Sequence, residues 1–148
     1  MKLPHEKPAV RLTLVRESRA KYEPAKVSSP AVVARLFAPL ETAPSEEVWV
    51  AILDTKHCIV STVLAHRGGL AQSLVEPRAI FAPALLANAS AVILVHNHPS
   101  GDPTPSSHDH DLTRRIKLAG ELLGIPLLDH VVIGSSGTYR SLAEGNAL

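Results

Sequence analysis

The sequence predicts a mixed α/β (α+β) domain in which a sheet is flanked by helices. Residues 90–98 form a continuous apolar run, which is typical of a central strand covered on both faces. Residues 106–124 carry apolar side chains at helical spacing on one stripe, so an amphipathic helix is expected soon after that strand. The chain has 148 residues, 45% of them hydrophobic and 20% charged, as expected for one globular domain with a buried core.

The N-terminal segment is predicted to be a basic arm followed by a linker. Residues 9–17 alternate apolar and polar side chains, which favours a half-exposed strand. Residues 22–30, YEPAKVSSP, have the composition of a linker. We therefore divide the chain into an arm and linker at 1–28 and a compact domain at 29–148. The first 26 residues hold seven Lys or Arg and three Glu, which we interpret as a solvated segment, with a nucleic-acid contact as the alternative.

The first half of the domain is predicted to hold one helix and a hairpin. Residues 29–40 begin with Ser29, a good N-cap, and Pro30, which suits the first helical position. Residues 46–54 and 58–66 are rich in β-branched residues and are separated by a short polar turn. These two segments therefore predict paired antiparallel strands.

The second half of the domain is predicted to alternate helices and strands. Residues 77–89 begin with a proline and predict a helix, which the strand at 90–98 follows directly. The helix at 106–124 ends at a glycine, a residue suited to terminating a helix. Residues 126–134 and 138–144 predict two closing strands.

The chain as a whole gives few signs of a special compartment or of a charged partner. The single cysteine, Cys58, cannot form an intramolecular disulfide, and no signal-peptide pattern or long apolar span is present. The formal net charge of +1 gives no global reason to expect an anionic partner. A cytoplasmic protein with no membrane partner is the expectation, and oligomeric state is not predicted.

The segment VHNHPSGDPTPSSHDHD, residues 95–111, predicts a turn between the central strand and the amphipathic helix. Side chains two apart on a strand point the same way, so His96 and His98 should emerge together with Asn97 on the opposite side. Pro99 cannot continue the strand ladder and should end it. Pro105 suits the first turn of the next helix, with the preceding threonine, Thr104, as its cap.

The same segment predicts a metal site. Asp109 falls within the first two turns of the predicted helix, near its positive end, where a carboxylate is favoured. Two imidazoles, from His96 and His98, and this carboxylate would make three protein ligands. Three ligands would leave a fourth position open for water, the arrangement of catalytic zinc, with one Zn²⁺ per chain. A polar surface loop that is only rich in histidine is the alternative that the pattern leaves open.

A general base for such a site should come from the strand that opens the domain. Glu46 and Glu47 both stand at its start. Each shares a face with apolar residues further along the strand, so spacing alone does not choose between them.

The segment that carries these residues resembles the signature of a known family. HNHPSGDPTPSSHD is similar to the signature of the RadC family, the bacterial branch of the JAMM (JAB/MPN-type) zinc metalloproteases, with ten residues between His98 and Asp109. The likeness covers roughly residues 29–145 and extends to WVAILDTKHCIV, RGGLAQSLVEPR and LLDHVVIG. The chain resembles the short, stand-alone members that lack an N-terminal helix-hairpin-helix region. The resemblance implies a curved mixed sheet with flanking helices, layered as in cytidine deaminases.

The resemblance also implies a role for each site residue. His96, His98 and Asp109 would hold zinc. The family glutamate stands eight residues before the aspartate that ends its strand, here Asp54, which selects Glu46 as the base over Glu47. Asn97 would point away from the metal and tie the loop to a neighbouring backbone, with a supporting role at the site as the alternative. Asp129 and His130 would either orient a ligand from behind or form a buried polar pair.

The function implied is hydrolysis of a peptide or isopeptide bond by a zinc-activated water. Ser106 would donate a hydrogen bond to the developing oxyanion. The protein or peptide substrate is not specified by any pattern in the sequence. The alternatives are an accessory protein of DNA metabolism or of mobile elements, which uses the metal domain for binding rather than turnover, and a non-enzymatic scaffold. His108 and His110 are expected to face solvent.

Overall fold

The computed structural model describes residues 25–68 and 75–148. The strand predicted at 9–17 and most of the basic arm lie outside these residues. The described elements follow one another along the chain in this order: α1 (Pro30–Leu36), a 3-10 helix (Ala38–Thr42), β1 (Glu47–Leu53), β2 (Ile59–Arg67), α2 (Pro77–Leu86), β3 (Ala91–Asn97), α3 (Ser107–Leu123), β4 (Leu127–Ile133) and β5 (Tyr139–Ser141).

The strands form one five-stranded mixed sheet in the order β2-β1-β3-β4-β5. β1 pairs antiparallel with both β2 and β3, and β4 pairs antiparallel with β5. β3 and β4 are parallel, so the connection between them needs a crossover, which α3 supplies. The predicted mixed α/β fold with flanking helices is confirmed.

Helices cover both faces of the sheet, which is why β3 is buried along its whole length. On one face, Leu94 of β3 packs in a cluster with Ile80 of α2 and Ile116 of α3. On the other face, Ile93 packs in a cluster with Val33 of α1. Alternate residues of the central strand therefore enter two separate cores, and its apolar run has no polar break until His96.

Several boundaries differ from those predicted, and each has a local cause. The helix predicted at 29–40 ends at Leu36 and continues as the 3-10 helix, whose second residue is Pro39. The strand predicted at 138–144 stops at Ser141, whose hydroxyl donates to Asp129 Oδ1 at 2.9 Å and Oδ2 at 2.8 Å.

The start of α3 is the difference that bears on the site. The N-cap is Ser106 and not Thr104, because Ser106 and Asp109 form a capping box. Ser106 Oγ accepts from the backbone N of Asp109 at 3.2 Å, and the Asp109 carboxylate accepts from the backbone N of Ser106 at 2.6 Å. At its other end the helix stops at Gly124, as predicted, with a left-handed φ of 71°.

In the parts of the chain that the structure describes, no helix combines the length and the apolar character needed to cross a bilayer.

Candidate metal centre

Three elements bring four potential metal ligands together at one end of the sheet. His96 is the penultimate residue of β3, and His98 follows that strand directly. Asp109 is the third residue of α3. Glu46 immediately precedes β1, whose start pairs with the end of β3. The four side chains offer ligand atoms that all lie within 4.8 Å of one another.

The three predicted ligands have the spacing of a small tetrahedral site. His96 Nε2 lies 3.0 Å from His98 Nε2 and 3.1 Å from Asp109 Oδ1. His98 Nε2 lies 3.3 Å from Asp109 Oδ2. Metal–ligand bonds of 2.0–2.2 Å in a tetrahedron place neighbouring ligand atoms roughly 3.3–3.6 Å apart. The observed distances of 3.0–3.3 Å lie at or just below this range, so the three donors are close enough to hold one metal ion.

Of the two oxygens of the Asp109 carboxylate, one accepts hydrogen bonds and the other has no hydrogen-bond donor. Oδ2 accepts from the backbone N of Ser106 and from its hydroxyl at 2.8 Å. Oδ1 is buried and has no hydrogen-bond partner. A buried carboxylate oxygen without a donor is the group that a bound cation would satisfy.

The ring of His98 is oriented by the loop that follows it. Its Nδ1 lies 2.8 Å from the backbone carbonyl of Asp102, which can only accept a hydrogen bond. Nδ1 therefore carries the proton when the ring is neutral, and the lone pair of Nε2 faces the cluster. The hydrogen bond to the neighbouring Asp109 carboxylate raises the pKa of His98.

The ring of His96 is held from behind by two buried residues. His96 Nδ1 lies 2.7 Å from His130 Nε2 on β4. His130 Nδ1 lies in turn 2.6 Å from the hydroxyl of Thr113 on α3. Burial lowers the pKa of the His130 imidazole well below its ordinary value, so this ring is neutral.

The two glutamates before and within β1 have different surroundings. Glu46 Oε1 lies 4.0 Å from His96 Nε2, so its carboxylate borders the ligand cluster. Glu47 accepts from Trp49 Nε1 at 2.8 Å and from Arg67 Nε at 2.9 Å. Trp49 packs against the core on the α1 face, and Glu47 is therefore engaged on the side of the sheet away from His96.

Asn97 secures the backbone on both sides of Glu46. Its Oδ1 accepts from the backbone N of Glu47 at 2.8 Å, and its Nδ2 donates to the carbonyl of Ser45 at 3.1 Å. The backbone N of Gly68 donates to the carbonyl of Glu46 itself at 2.8 Å. Asn97 thus points away from the cluster and fixes the position of the residue that borders it.

The cluster is buried at its base and open at one side. The side chains of His96 and Asp109 are 0% and 1% exposed, whereas those of His98 and Glu46 are each 17% exposed. A ligand arriving from solvent would therefore meet the His98 and Glu46 side first.

A groove of about 670 Å³ adjoins the loop that holds His98. Its lining includes Pro103 of that loop and Arg140 of β5. A smaller and more apolar cavity of about 290 Å³, lined by Phe37 and Trp49, lies on the opposite face of the sheet from His96. The groove beside Pro103 therefore lies at the β5 edge of the sheet, next to the loop that follows His98.

The remaining predicted residues lie outside the cluster. Asp129 accepts from Ser141, from the backbone N of Ala143 and from the backbone N of His130, so it holds the turn after β5. His108 and His110 are exposed, as expected.

Sequence reasoning missed Thr113 and the carbonyl of Asp102. The signal available for Thr113 was a polar residue four positions after Asp109 on the buried stripe of the helix.

Comparison with known proteins places this site in a family context. The model of the RadC-like JAB domain matches residues 27–147. A protein of Trichlorobacter lovleyi named "UPF0758 protein" is 53% identical over 97 residues, covering 66% of this chain and 42% of that protein. Proteins of the same name from Syntrophotalea carbinolica and Clostridium perfringens are 43% and 44% identical over 121 and 124 residues, covering 82% and 83% of this chain. They are covered over 53% and 54% of their own length, so the chain spans about half the length of these curated relatives.

Proposed function

This chain belongs to the RadC-like JAB domain family, and on that premise we propose that it is a zinc-dependent metallohydrolase that cleaves a peptide or isopeptide bond. The observation that carries the proposal is the compact set of His96, His98 and Asp109, in which a buried carboxylate oxygen has no hydrogen-bond donor. The side open to solvent is bordered by a further carboxylate, that of Glu46. Three ligands with such an opening favour a catalytic site over a closed structural one.

When bound, zinc would supply Lewis-acid chemistry, lowering the pKa of a water molecule and polarising the carbonyl group that is attacked. Glu46 would accept the proton released by the water and deliver it to the departing amine. His98 and Glu46 stand at the exposed side of the cluster, where the scissile bond can reach them. Asn97 holds the backbone on both sides of Glu46, which limits the movement of the base between its two proton transfers.

Ser106 has two assigned tasks in this proposal. It caps α3, and its hydroxyl donates to Asp109 Oδ2 at 2.8 Å. In the proposed reaction this hydroxyl would donate to the oxyanion that develops in the transition state. A donor aimed at such an oxyanion contributes about 3 kcal/mol.

Replacing Ser106 with alanine is expected to lower kcat by about 10²–10³-fold while KM changes little, because the hydrogen bond forms only in the transition state. The same change removes the helix cap and should cost about 1 kcal/mol of stability. Ser106→Gly separates the two effects, since glycine at an N-cap costs only a few tenths of a kcal/mol. Wild-type kcat in Ser106→Gly, with zinc content confirmed by metal analysis, would contradict the oxyanion role.

The proposed activity is tested with a library of peptides and isopeptide-linked peptides. The zinc-loaded chain is expected to cleave part of the library, the chelator-treated chain to cleave none, and added zinc to restore cleavage. Mass spectrometry of the products identifies the bond that is broken. A fully zinc-loaded chain that leaves every peptide and isopeptide intact would contradict the proposal.

The alternative role in DNA metabolism depends on the basic segment at residues 1–26, most of which lies outside the described part of the chain. Measuring DNA affinity with and without residues 1–26 addresses it directly. A phosphate-contacting arm would give binding that weakens as salt rises and that disappears with the deletion.

A further inference from the structure

A buried chain of hydrogen bonds links two of the proposed ligands through residues that do not touch the metal position. It runs from His96 Nδ1 to His130 Nε2 at 2.7 Å, and from His130 Nδ1 to Thr113 Oγ1 at 2.6 Å. Thr113 Oγ1 then donates to the backbone carbonyl of Asp109 at 2.6 Å. The residues His96, His130 and Thr113 are at most 1% exposed.

The direction of all three hydrogen bonds follows from the last acceptor, the backbone carbonyl of Asp109. A carbonyl oxygen only accepts, so the single hydroxyl proton of Thr113 is used on Asp109. If the Thr113 proton pointed at His130 instead, the hydroxyl and carbonyl oxygens would face each other at 2.6 Å with no proton between them. Thr113 Oγ1 must therefore accept from the Nδ1–H of His130.

The same reasoning fixes the position of the N–H proton in the rings of His130 and His96. A neutral imidazole has one N–H, so a proton on His130 Nδ1 leaves its Nε2 as an acceptor. His96 Nδ1 must then be the donor at 2.7 Å. In the neutral ring of His96 this proton lies on the side away from the cluster, which leaves Nε2, 3.1 Å from Asp109 Oδ1, with a lone pair for a metal ion.

We infer that Thr113 and His130 are positioning residues, which fix the tautomer and ring orientation of His96 for metal binding. The inference rests on the metal site of the proposed function, adds Thr113 to it, and gives a defined role to His130, which the family resemblance implies as a support. Because Thr113 donates to the carbonyl of Asp109, it also ties the third ligand on α3 to the ligand on β3. Metal affinity then depends on a threonine that contacts no metal.

A purely structural role for Thr113 makes a different prediction. Its neighbours on the buried side of α3 are Leu112 and Ile116, and valine would fill the same volume. If the hydroxyl only satisfied a buried carbonyl, its loss would lower stability but would leave the tautomer of His96 and the affinity for zinc unchanged.

The experiment compares Thr113→Val with Thr113→Ser. In Thr113→Val, His130 loses the acceptor for its Nδ1–H, so the preference that holds the His96 proton on Nδ1 is lost. Zinc affinity, measured by competition with a chromogenic chelator, is expected to fall about 10–100-fold. Thr113→Ser keeps the hydroxyl and should bind zinc as the wild type does. Thr62→Val, at an exposed threonine on β2, controls for the substitution itself.

A second pair of variants tests the hydrogen bond between His130 and His96. Glutamine at position 130 can present a carbonyl oxygen near the place of the imidazole Nε2, whereas leucine cannot. His130→Gln should therefore retain more zinc affinity than His130→Leu. Thermal unfolding of each metal-free variant shows whether the comparison is made between folded proteins.

The tautomer of His96 can be measured directly, without metal and without a catalysed reaction. Long-range proton–nitrogen correlation spectra of the metal-free wild type are expected to show His96 protonated on Nδ1 and unprotonated on Nε2. The Nε2–H tautomer of His96 in the wild type would overturn the inference, as would wild-type zinc affinity in folded Thr113→Val. A chain that binds zinc and shows the expected tautomer without cleaving any peptide would count against the hydrolase alone.

Discussion

Replacing His98 with alanine is expected to abolish tight zinc binding, and any zinc-dependent cleavage with it, while the fold is retained. The substitution leaves two of the three proposed ligands, His96 and Asp109. It should therefore weaken zinc binding by more than the 10–100-fold typical of residues that act behind a ligand. His98 follows β3 and is partly exposed, so its removal leaves the two cores of the domain intact.

The control for this experiment lies in the same segment of the chain. His108→Ala removes an exposed histidine two residues after the N-cap of α3 and should leave zinc content at about one ion per chain. Metal analysis of dialysed protein and zinc titration provide the measurement, and circular dichroism checks the fold. Equal zinc content in His98→Ala and the wild type would remove His98 from the ligand set.

The sequence could predict the central part of the site because the relevant information is local. The alternation of side chains along a strand places His96 and His98 together, and Pro99 ends the strand after them. Helix-start signals alone place Asp109 in the first two turns of the next helix. The predicted cap, Thr104, is wrong: the helix is capped by Ser106, and its later start puts Asp109 at the third position of the first turn.

The choice between Glu46 and Glu47 could not be made from the pattern of β1. Helices cover both faces of the sheet, so residues on either side of the strand are apolar and give no contrast. The contacts that distinguish the two glutamates come from residues elsewhere in the fold. Asn97 binds the backbone on both sides of Glu46, and Arg67 and Trp49 engage Glu47 on the other face.

The resemblance implied His130 as a support for the ligands, but the hydrogen bonds that join it to His96 and to Thr113 are long-range and do not follow from the sequence pattern. Thr113 and His130 are 17 residues apart and meet only because α3 crosses over to bring β4 beside β3. A buried threonine on a helix and a histidine on a strand are each common in cores. Their significance comes from the direction of three hydrogen bonds, which only the assembled fold defines.

Replacing Glu46 with glutamine is expected to lower kcat by about 10²–10⁴-fold and to leave zinc content near one ion per chain. Glutamine has nearly the same shape as glutamate but cannot accept a proton at neutral pH. Glu46 Oε1 lies 4.0 Å from His96 Nε2. The ligand atoms of the three proposed ligands lie only 3.0–3.3 Å from one another. The longer distance of Glu46 favours a base beside the metal over a fourth ligand.

Glu47→Gln is the matched control, because it makes the same chemical change one residue away. An amide at position 47 can still accept from Trp49 or Arg67, so kcat and zinc affinity should both stay close to the wild-type values. A loss of zinc in Glu46→Gln would instead identify Glu46 as a fourth protein ligand. The centre would then be closed, as structural zinc sites are, and the proposed hydrolase would lose its base and its open coordination position together.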